Sequence, residues 1–240
     1  MHLNIDDFKR QSLIEYAKSK TCIVGGIGTG NLVLINDKIY IVTCQHVAKE
    51  FFKNNRSVVT LYSNKKLKQS ELKYISNSEL YDIALIEILV QIGSEQFYEL
   101  TDFIFIDDFA KYNFEQSDIH LLGFPFEFRI EDNLNIARYW FSYLSIPMLN
   151  KTEKDFLYCD YPLNKNSTYF ESNYNTKLPS APGLSGSFVQ IISNPNYKEE
   201  DIWSINFVKV VAMQIAWDEK SYLKCVNINQ LKYLINQITV

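Results

Sequence analysis

Short apolar runs, separated by residues that favour turns, dominate the chain from Thr21 onward. The runs are rich in Val, Ile, Tyr and Phe, and Gly, Asn, Asp or Ser stands between them. Strands are predicted at residues 32–35, 39–43, 57–62, 83–88, 119–122, 188–192 and 208–215. Asn36, Asp37 and Lys38, between the first two strands, are typical of a hairpin turn. Many short strands with frequent turns predict an all-β sandwich or barrel.

Both ends of the chain carry a helical pattern instead. Residues 5–20 place Leu13 and Ala17 on one helical face. Near the C-terminus, apolar residues follow the i, i+3, i+4, i+7 spacing of an amphipathic helix, at Leu231, Leu234, Ile235 and Ile238. We therefore expect a short N-terminal helix within residues 1–20 and a closing helix within residues 227–240.

The composition excludes several classes of protein. The 240 residues are 47% apolar and 22% charged, which suits a folded domain with a sizeable core. The net charge of −4 offers no basic surface for nucleic acid. No apolar run approaches the length of a membrane span, and the first residues lack the pattern of a secretory signal peptide. We expect a cytoplasmic protein that binds neither nucleic acid nor membranes.

The four cysteines, at positions 22, 44, 159 and 225, form no CxxC pair. Zinc sites usually need such paired ligands, so no metal is expected here. Scattered cysteines in a chain without a secretory signal are predicted to be reduced thiols in the core.

A candidate general base is found among the three histidines of the chain, His2, His46 and His120. His2 lies at the terminus, and His120 lies inside a predicted strand where alternation allows either face. His46 directly follows the predicted strand 39–43. A histidine at a strand end is by itself more often structural than catalytic. The assignment of a catalytic role to His46 therefore depends on the surrounding motifs.

A candidate nucleophile is Ser185, which lies between Gly183 and Gly186. Glycines on both sides allow a tight turn whose backbone N–H groups converge on one point, as an oxyanion hole requires. An ordinary loop between strands would have the same composition. The nucleophile elbow of α/β-hydrolases is excluded, because it needs Gly at position 187 and a histidine after the serine.

A candidate orienting carboxylate is Asp82, which directly precedes the predicted strand 83–88. A carboxylate beside a buried strand is costly unless it has a partner. The alternative is a solvent-facing acid at the start of a strand. If Asp82 is only that, the candidates in its place are Asp107, Asp108 and Asp118.

Six segments resemble, in the same order, the motifs of trypsin-like serine peptidases of the bacterial type. They are GTGNLVL at 28–34, IVTCQHV at 41–47, YDIALI at 81–86, LGFP at 122–125, GLSGS at 183–187 and VVAMQ at 210–214. Three departures accompany them: Asn31 replaces an apolar residue, Cys44-Gln45 replaces a small pair, and Leu184 stands where secreted trypsins carry Asp. The resemblance covers most of the chain.

The resemblance implies the chymotrypsin fold, which has two packed six-stranded antiparallel β-barrels. The first barrel would cover about residues 21–106 and the second about residues 118–226. The family's active site lies in the cleft between them, which agrees with a histidine and an aspartate in the first half and a serine in the second.

The resemblance also assigns roles to the site residues. His46 would be the general base, Asp82 would orient its imidazole, and Ser185 would attack the scissile carbonyl. The backbone N–H groups of Gly183 and Ser185 would form the oxyanion hole. No metal or cofactor is implied.

Substrate-binding residues are implied in the same way. Gln214, Ile215 and Ala216 would pair with the substrate backbone as an added strand. The base of the primary specificity pocket would be Pro179. Because no acid lies near it in residues 178–187, we expect a small or apolar P1 residue rather than Arg or Lys.

The predicted function is therefore a serine endopeptidase that acts on polypeptides. Two alternatives stay open: a catalytically silent protein that uses the fold for binding, and a protease that is inactive until a protein partner activates it. Intracellular peptidases of this kind occur in antiviral defence, an analogy at the level of fold only.

Residues 23–26 read Ile-Val-Gly-Gly, like the N-terminus that secreted trypsins expose on cleavage. In those enzymes the freed amino group pairs with an Asp at the position of Leu184. Without this carboxylate, a buried ammonium would be unpaired and costly. We therefore expect Ile23 to belong to the first strand and the uncut chain to need no cleavage after Cys22.

Overall fold

The computed structural model describes most of the chain after the first residues. The described residues are 13–54, 57–63, 65–90, 103–112, 119–132, 135–138, 141–145, 147–148, 150–151, 153–161, 166–168, 175–177, 180–192, 205–218 and 222–239. The strands are β1 Thr21–Val24, β2 Gly28–Ile35, β3 Lys38–Cys44, β4 Val58–Leu61, β5 Lys66–Lys68, β6 Leu72–Ser78, β7 Ile83–Ile88, β8 Ile104–Phe105, β9 Ile119–Gly123, β10 Arg129–Asp132, β11 Asn135–Arg138, β12 Phe141–Ser145, β13 Phe156–Asp160, β14 Asn166–Thr168, β15 Asn175–Lys177, β16 Phe188–Ile192, β17 Val208–Asp218 and β18 Tyr222–Asn227. The α-helices are α1 at residues 13–19, α2 Gln45–Lys53 and α3 Ile228–Thr239.

The first sheet contains the strands from β1 to β8. Its hydrogen-bonded order is β5-β4-β1-β2-β3-β7-β6, and β8 adds to β2 in parallel. The two ends of this order, β5 and β6, are joined in the chain by a single 3₁₀ turn, Gln69–Glu71. The sheet therefore curls until its edge strands are covalently connected. Asn36 and Asp37 join β2 to β3 with positive φ angles of 47° and 61°, as a type I′ hairpin requires.

The second sheet has the order β12-β9-β16-β17-β18-β13. Its two edges approach each other just after β12, where Pro147 forms an antiparallel bridge with Cys159. The amide of Met148 also donates to the carbonyl of Tyr158 at 2.7 Å. Two short hairpins, β10–β11 and β14–β15, stand apart from this sheet.

The all-β fold class with two curled sheets is confirmed, and it fits the chymotrypsin-like arrangement. The first sheet differs from the prediction, since it has eight strands rather than six. The additional pairing involves β5 and β8, which have three and two residues. Strands this short show no alternation that the sequence could reveal. The division into folding units stays a prediction.

Helix α3 connects the end of the second sheet to the core of the first sheet. The apolar face of α3 packs in the same core as the first sheet and contributes four buried side chains, Ile228, Leu231, Leu234 and Ile235. The chain thus returns from the second sheet to cover the first. The second sheet surrounds a core of its own, which includes Leu121, Val189 and Leu223. None of the helices among the described residues is long and apolar enough to span a membrane.

Candidate active site

His46 and Asp82 meet because β3 and β7 pair in one register. Cys44, the last residue of β3, pairs with Ile83, the first residue of β7. Beyond this end of the ladder, Gln45 follows Cys44 and Asp82 precedes Ile83, so Asp82 lies beside Gln45 and next to His46. His46 Nδ1 is 2.6 Å from Asp82 Oδ2, and the amide of His46 donates to Asp82 Oδ1 at 3.0 Å. The amide of Gln45 donates to the backbone carbonyl of Asp82 at 3.1 Å.

Asp82 performs a capping role in addition to contacting the imidazole. Helix α2 begins at Gln45, and its first amides need acceptors from outside the helix. Asp82 supplies two of them, from its carboxylate and its carbonyl. Its φ angle is 52°, in the left-handed region that non-glycine residues seldom adopt. The hydrogen bonds to α2 hold this strained backbone, as is common at functional sites.

The pair is accessible from solvent on the imidazole side. The His46 side chain is 52% exposed and that of Asp82 is 26% exposed. Helix α2 was not predicted. Because it begins at Gln45, His46 lies in its first turn, and the helical backbone sets the direction of the imidazole side chain. The face of α2 with Val47, Ala48 and Phe51 is buried, which explains why the strand ends in a helix here.

Ser185 lies in a turn between two glycines that have left-handed backbone angles. The φ angle of Gly183 is 97° and that of Gly186 is 96°. A Cβ atom at Gly186 would overlap the carbonyl oxygen of Thr29 and lie 2.7 Å from Thr43 Oγ1. Both the conformation and the close approach therefore require glycine.

The turn is anchored on β2 of the first sheet rather than on its own sheet alone. Thr29 Oγ1 donates to the carbonyl of Gly183 at 2.8 Å, and the amide of Thr29 donates to the carbonyl of Ser185 at 2.9 Å. Asn31 Nδ2 donates to the carbonyl of Gly186 at 2.6 Å. Asn31 is buried, so this bond explains why a polar residue replaces the apolar one that the family motif carries.

In the turn around Ser185, every second amide from Gly183 to Ser185 has no backbone acceptor among the described residues. The amides of Leu184, Gly186 and Ser187 each donate to a backbone carbonyl at 2.8–2.9 Å. Within the described part of the chain, the amides of Gly183 and Ser185 donate to no backbone carbonyl. These are the two donors predicted for the oxyanion hole. A pair of uncommitted N–H groups beside a serine hydroxyl can stabilise negative charge on a carbonyl oxygen.

The structure ties the serine turn to the strand that leads to His46. Gly186 packs against Thr43, which precedes Cys44 at the end of β3. The hydroxyl of Thr43 donates to the carbonyl of Thr29 at 2.7 Å. Across the described residues, no hydrogen bond joins Ser185 to His46. The bond between a nucleophile and its base often forms only when substrate is present.

Cys44 is a buried neighbour of the His46–Asp82 pair that the sequence did not single out for a role. Its thiol donates to the carbonyl of Gln214 at 3.3 Å, across the interface between the sheets. Ligand-type atoms of Cys44, His46 and Asp82 lie within 4.8 Å of one another. Burial raises the pKa of the Cys44 thiol well above its usual range, and the charge of Asp82 raises it further.

This trio fits a metal poorly. A cysteine ligand must be a thiolate, and burial raises the pKa of the Cys44 thiol, which opposes that form. The prediction that the site works without a metal or cofactor stays a prediction. All four cysteines are buried free thiols.

The predicted substrate strand is the end of β17. Gln214 and Ile215 are buried and Ala216 is exposed. On the side of β17 that faces away from β18, pairing with β16 ends at Met213, so this edge has no strand partner from Ile215 to Asp218 among the described residues. The register to β18 shifts at this point, and Gln214 Nε2 donates to the carbonyl of Ala216 at 3.0 Å across the bulge. An open edge of this kind can receive an extended peptide.

His120 takes no part in this arrangement. His120 is buried in the second sheet, where Nε2 is 2.7 Å from Ser142 Oγ and Nδ1 is 3.4 Å from Gln190 Oε1. His2 and Pro179 lie outside the described residues, so the base of the specificity pocket is not placed.

Comparisons with known proteins add little to this picture. No protein-family model matches the chain, and no curated protein matches it. A solved structure from a study of the Sesbania mosaic virus VPg protein is similar over 89% of this chain and 87% of that chain, with 13% sequence identity and a TM-score of 0.48. The fold class is established by the two sheets themselves.

Proposed function

We propose that the chain is a trypsin-like serine endopeptidase. The observation that carries the proposal is the combination of a histidine held by a carboxylate with a serine turn in which two amides donate to no backbone carbonyl of the described residues. The serine turn is packed against the strand end from which the histidine emerges. This set of groups supplies a base, an orienting acid, a nucleophile and an oxyanion hole.

The proposed reaction is acyl transfer in two steps. Ser185 Oγ attacks the scissile carbonyl carbon while His46 Nε2 takes its proton, because Asp82 holds the other ring nitrogen. The carbonyl oxygen becomes an oxyanion that accepts from the amides of Gly183 and Ser185. The C–N bond then breaks, and His46 returns the proton to the leaving amine. Water then loses a proton to His46 and attacks the acyl carbon; the bond from that carbon to Ser185 Oγ breaks, His46 returns the proton to Oγ, and the carboxylic acid leaves.

The proposed substrate is an extended polypeptide that adds to the open edge of β17 beyond Gln214. The preference for a small or apolar P1 residue remains part of the proposal, as do cytoplasmic location and control by a protein partner. A role in antiviral defence is an analogy that the fold permits.

The alternative is a catalytically silent binding protein with the same fold. The observation that favours it is that no hydrogen bond joins Ser185 and His46 within the described residues. A protease that becomes active only with a partner would share this feature.

Labelling with a fluorophosphonate separates these functions, because the probe forms a bond only with an activated serine. Intact mass spectrometry should find one adduct per chain, mapped to Ser185 by peptide analysis. Ser185→Ala should abolish the adduct, and Ser180→Ala, a serine of the same loop, should keep it. Absence of the adduct from the wild-type chain, alone and with a cell extract, would favour the binding protein.

A further inference from the structure

Helix α1 packs where the two sheets meet. Its Ile14 and Ala17 form a small buried cluster with Ile23 of β1 and with Leu122 and Phe124 at the end of β9. The cluster therefore includes residues of both sheets and of the segment that follows β9.

The helix is fastened at its C-terminal end and on its side. Thr21 Oγ1 donates to the carbonyl of Ala17 at 2.6 Å. Tyr16 donates through its hydroxyl to Asp108 Oδ2 at 3.2 Å, and the Lys20 ammonium lies 4.1 Å from the centre of the Tyr16 ring. These contacts hold the helix in the position where Ile14 and Ala17 pack in the cluster with Phe124.

Phe124 is also the residue against which the oxyanion turn is packed. Its carbonyl oxygen lies so close to Gly183 that a Cβ atom there would overlap it. The amide of Phe124 donates to Thr29 Oγ1 at 3.1 Å, and the same hydroxyl donates to the carbonyl of Gly183. The amide of Phe126 donates to the carbonyl of Pro182 at 2.9 Å. The backbone at 124–126 thus forms the wall behind Gly183.

We propose that α1 is a positioning element for the oxyanion hole, in which Ile14 holds Phe124 and Phe124 holds Gly183. The inference rests on the proposed peptidase function. This support does not use an ion pair between a freed N-terminal amino group and a carboxylate. Leu184 occupies the position where such a carboxylate would stand, and it is fully buried. Ile23 is paired on both sides, with Thr29 and Thr60. Cutting the chain after Cys22 would remove the support instead of activating the enzyme.

The test compares two neighbouring side chains of α1 that are equally buried. Ile14 is 2% exposed and belongs to the cluster with Phe124, and Leu13 is 3% exposed and does not belong to it in the described residues. Ile14→Ala should lower kcat on a peptide substrate about tenfold with little change in KM, as expected for a loosened transition-state contact. Leu13→Ala should keep kcat within about twofold. Ile14→Val should fall between Ile14→Ala and the wild type.

A second measurement does not depend on activity. Hydrogen exchange should accelerate at the hydrogen-bonded amides of Leu184, Gly186 and Ser187 in Ile14→Ala and stay unchanged there in Leu13→Ala. A chain that begins at Ile23 should lose activity rather than gain it.

Equal loss of kcat in both alanine variants would overturn the proposal, as would unchanged exchange at the amides of Leu184, Gly186 and Ser187 in Ile14→Ala. Activity confined to the trimmed chain, and abolished by blocking its amino group, would overturn it as well. If the wild-type chain fails to react with a fluorophosphonate, the peptidase function fails, and the exchange experiment still tests the contact of α1 with the turn.

Discussion

The two halves of the candidate site are positioned in different ways. His46 and Asp82 lie just beyond the paired ends of β3 and β7 in one sheet, and the amides of Gln45 and His46 both donate to Asp82. The turn with Ser185 belongs to the other sheet, but Thr29 and Asn31 of β2 hold its carbonyls. The His46–Asp82 pair is therefore determined by one strand pair, and the Ser185 turn depends on the docking of the two sheets. Remote packing changes should affect the turn more than the pair.

The largest expected effect is that of Ser185→Ala, which removes the nucleophile and leaves both halves of the site in place. Peptide turnover should fall about 10⁶-fold, by analogy with other serine peptidases. The melting temperature should stay nearly unchanged, because the hydroxyl makes no hydrogen bond within the described residues. Chromatography of a peptide digest measures the turnover. Unaltered cleavage would remove Ser185 from the mechanism.

Asp82→Asn tests the locally determined half. The variant should lower kcat about 10⁴-fold, because the amide holds the wrong imidazole tautomer. Asn tolerates the left-handed conformation of this position, so the fold should persist. Steady-state kinetics measure kcat, and circular dichroism serves as the control for folding. A loss smaller than tenfold would make Asp82 a capping residue only; Asp107, Asp108 and Asp118 would then need testing.

Thr29→Val tests the docked half. The hydroxyl of Thr29 donates to Gly183 and accepts from Phe124, and both partners are buried. Its removal should lower the free energy of unfolding by about 1–3 kcal/mol and kcat by a factor between about 10 and 100. Urea denaturation and kinetics measure the two effects. Thr60→Val, in a strand away from the turn, should leave kcat unchanged; an equal loss of kcat there would contradict the docking role.

Cys44→Ala tests the contact between the halves. It removes a weak donor to the Gln214 carbonyl and should lower kcat only about three- to tenfold. Cys44→Ser keeps a donor and should retain most of the activity. Steady-state kinetics distinguish the two variants. Inactivation by alkylation at pH 7 of the folded wild type would contradict the buried, protonated thiol.

The smallest expected effect concerns pH. Burial raises the pKa of the Cys22, Cys44 and Cys225 thiols, so the folded chain keeps protons that the unfolded chain releases. This contribution to the free energy of unfolding is fully present below the thiol pKa of the unfolded chain, about 8.5, and decreases as pH rises above it. Urea midpoints between pH 7 and 10 measure the slope, which should be shallower in Cys44→Ala. A midpoint that rises over this range would contradict the sign.

Prediction from the sequence worked best where a motif coincides with local structure. The hairpin at 36–37 and the first strand through Ile23 are where the pattern placed them. Helix α2 was missed because QHVAKEFFK directly follows a strand with no turn residue between. Residues 5–12 of the predicted N-terminal helix lie outside the described residues, and residues 13–19 are helical.

The sequence alone determined the all-β class and the candidate chemistry, because alternation of apolar residues and the glycines around Ser185 act over a few neighbouring positions. It also placed a carboxylate at the head of β7. Only the tertiary structure decided which buried polar groups support the site. Thr29, Asn31 and Cys44 bond to partners more than 150 positions away, and neither pattern nor spacing within a strand contains those partners. Such bonds form because buried polar groups must be satisfied wherever the packed sheets place them.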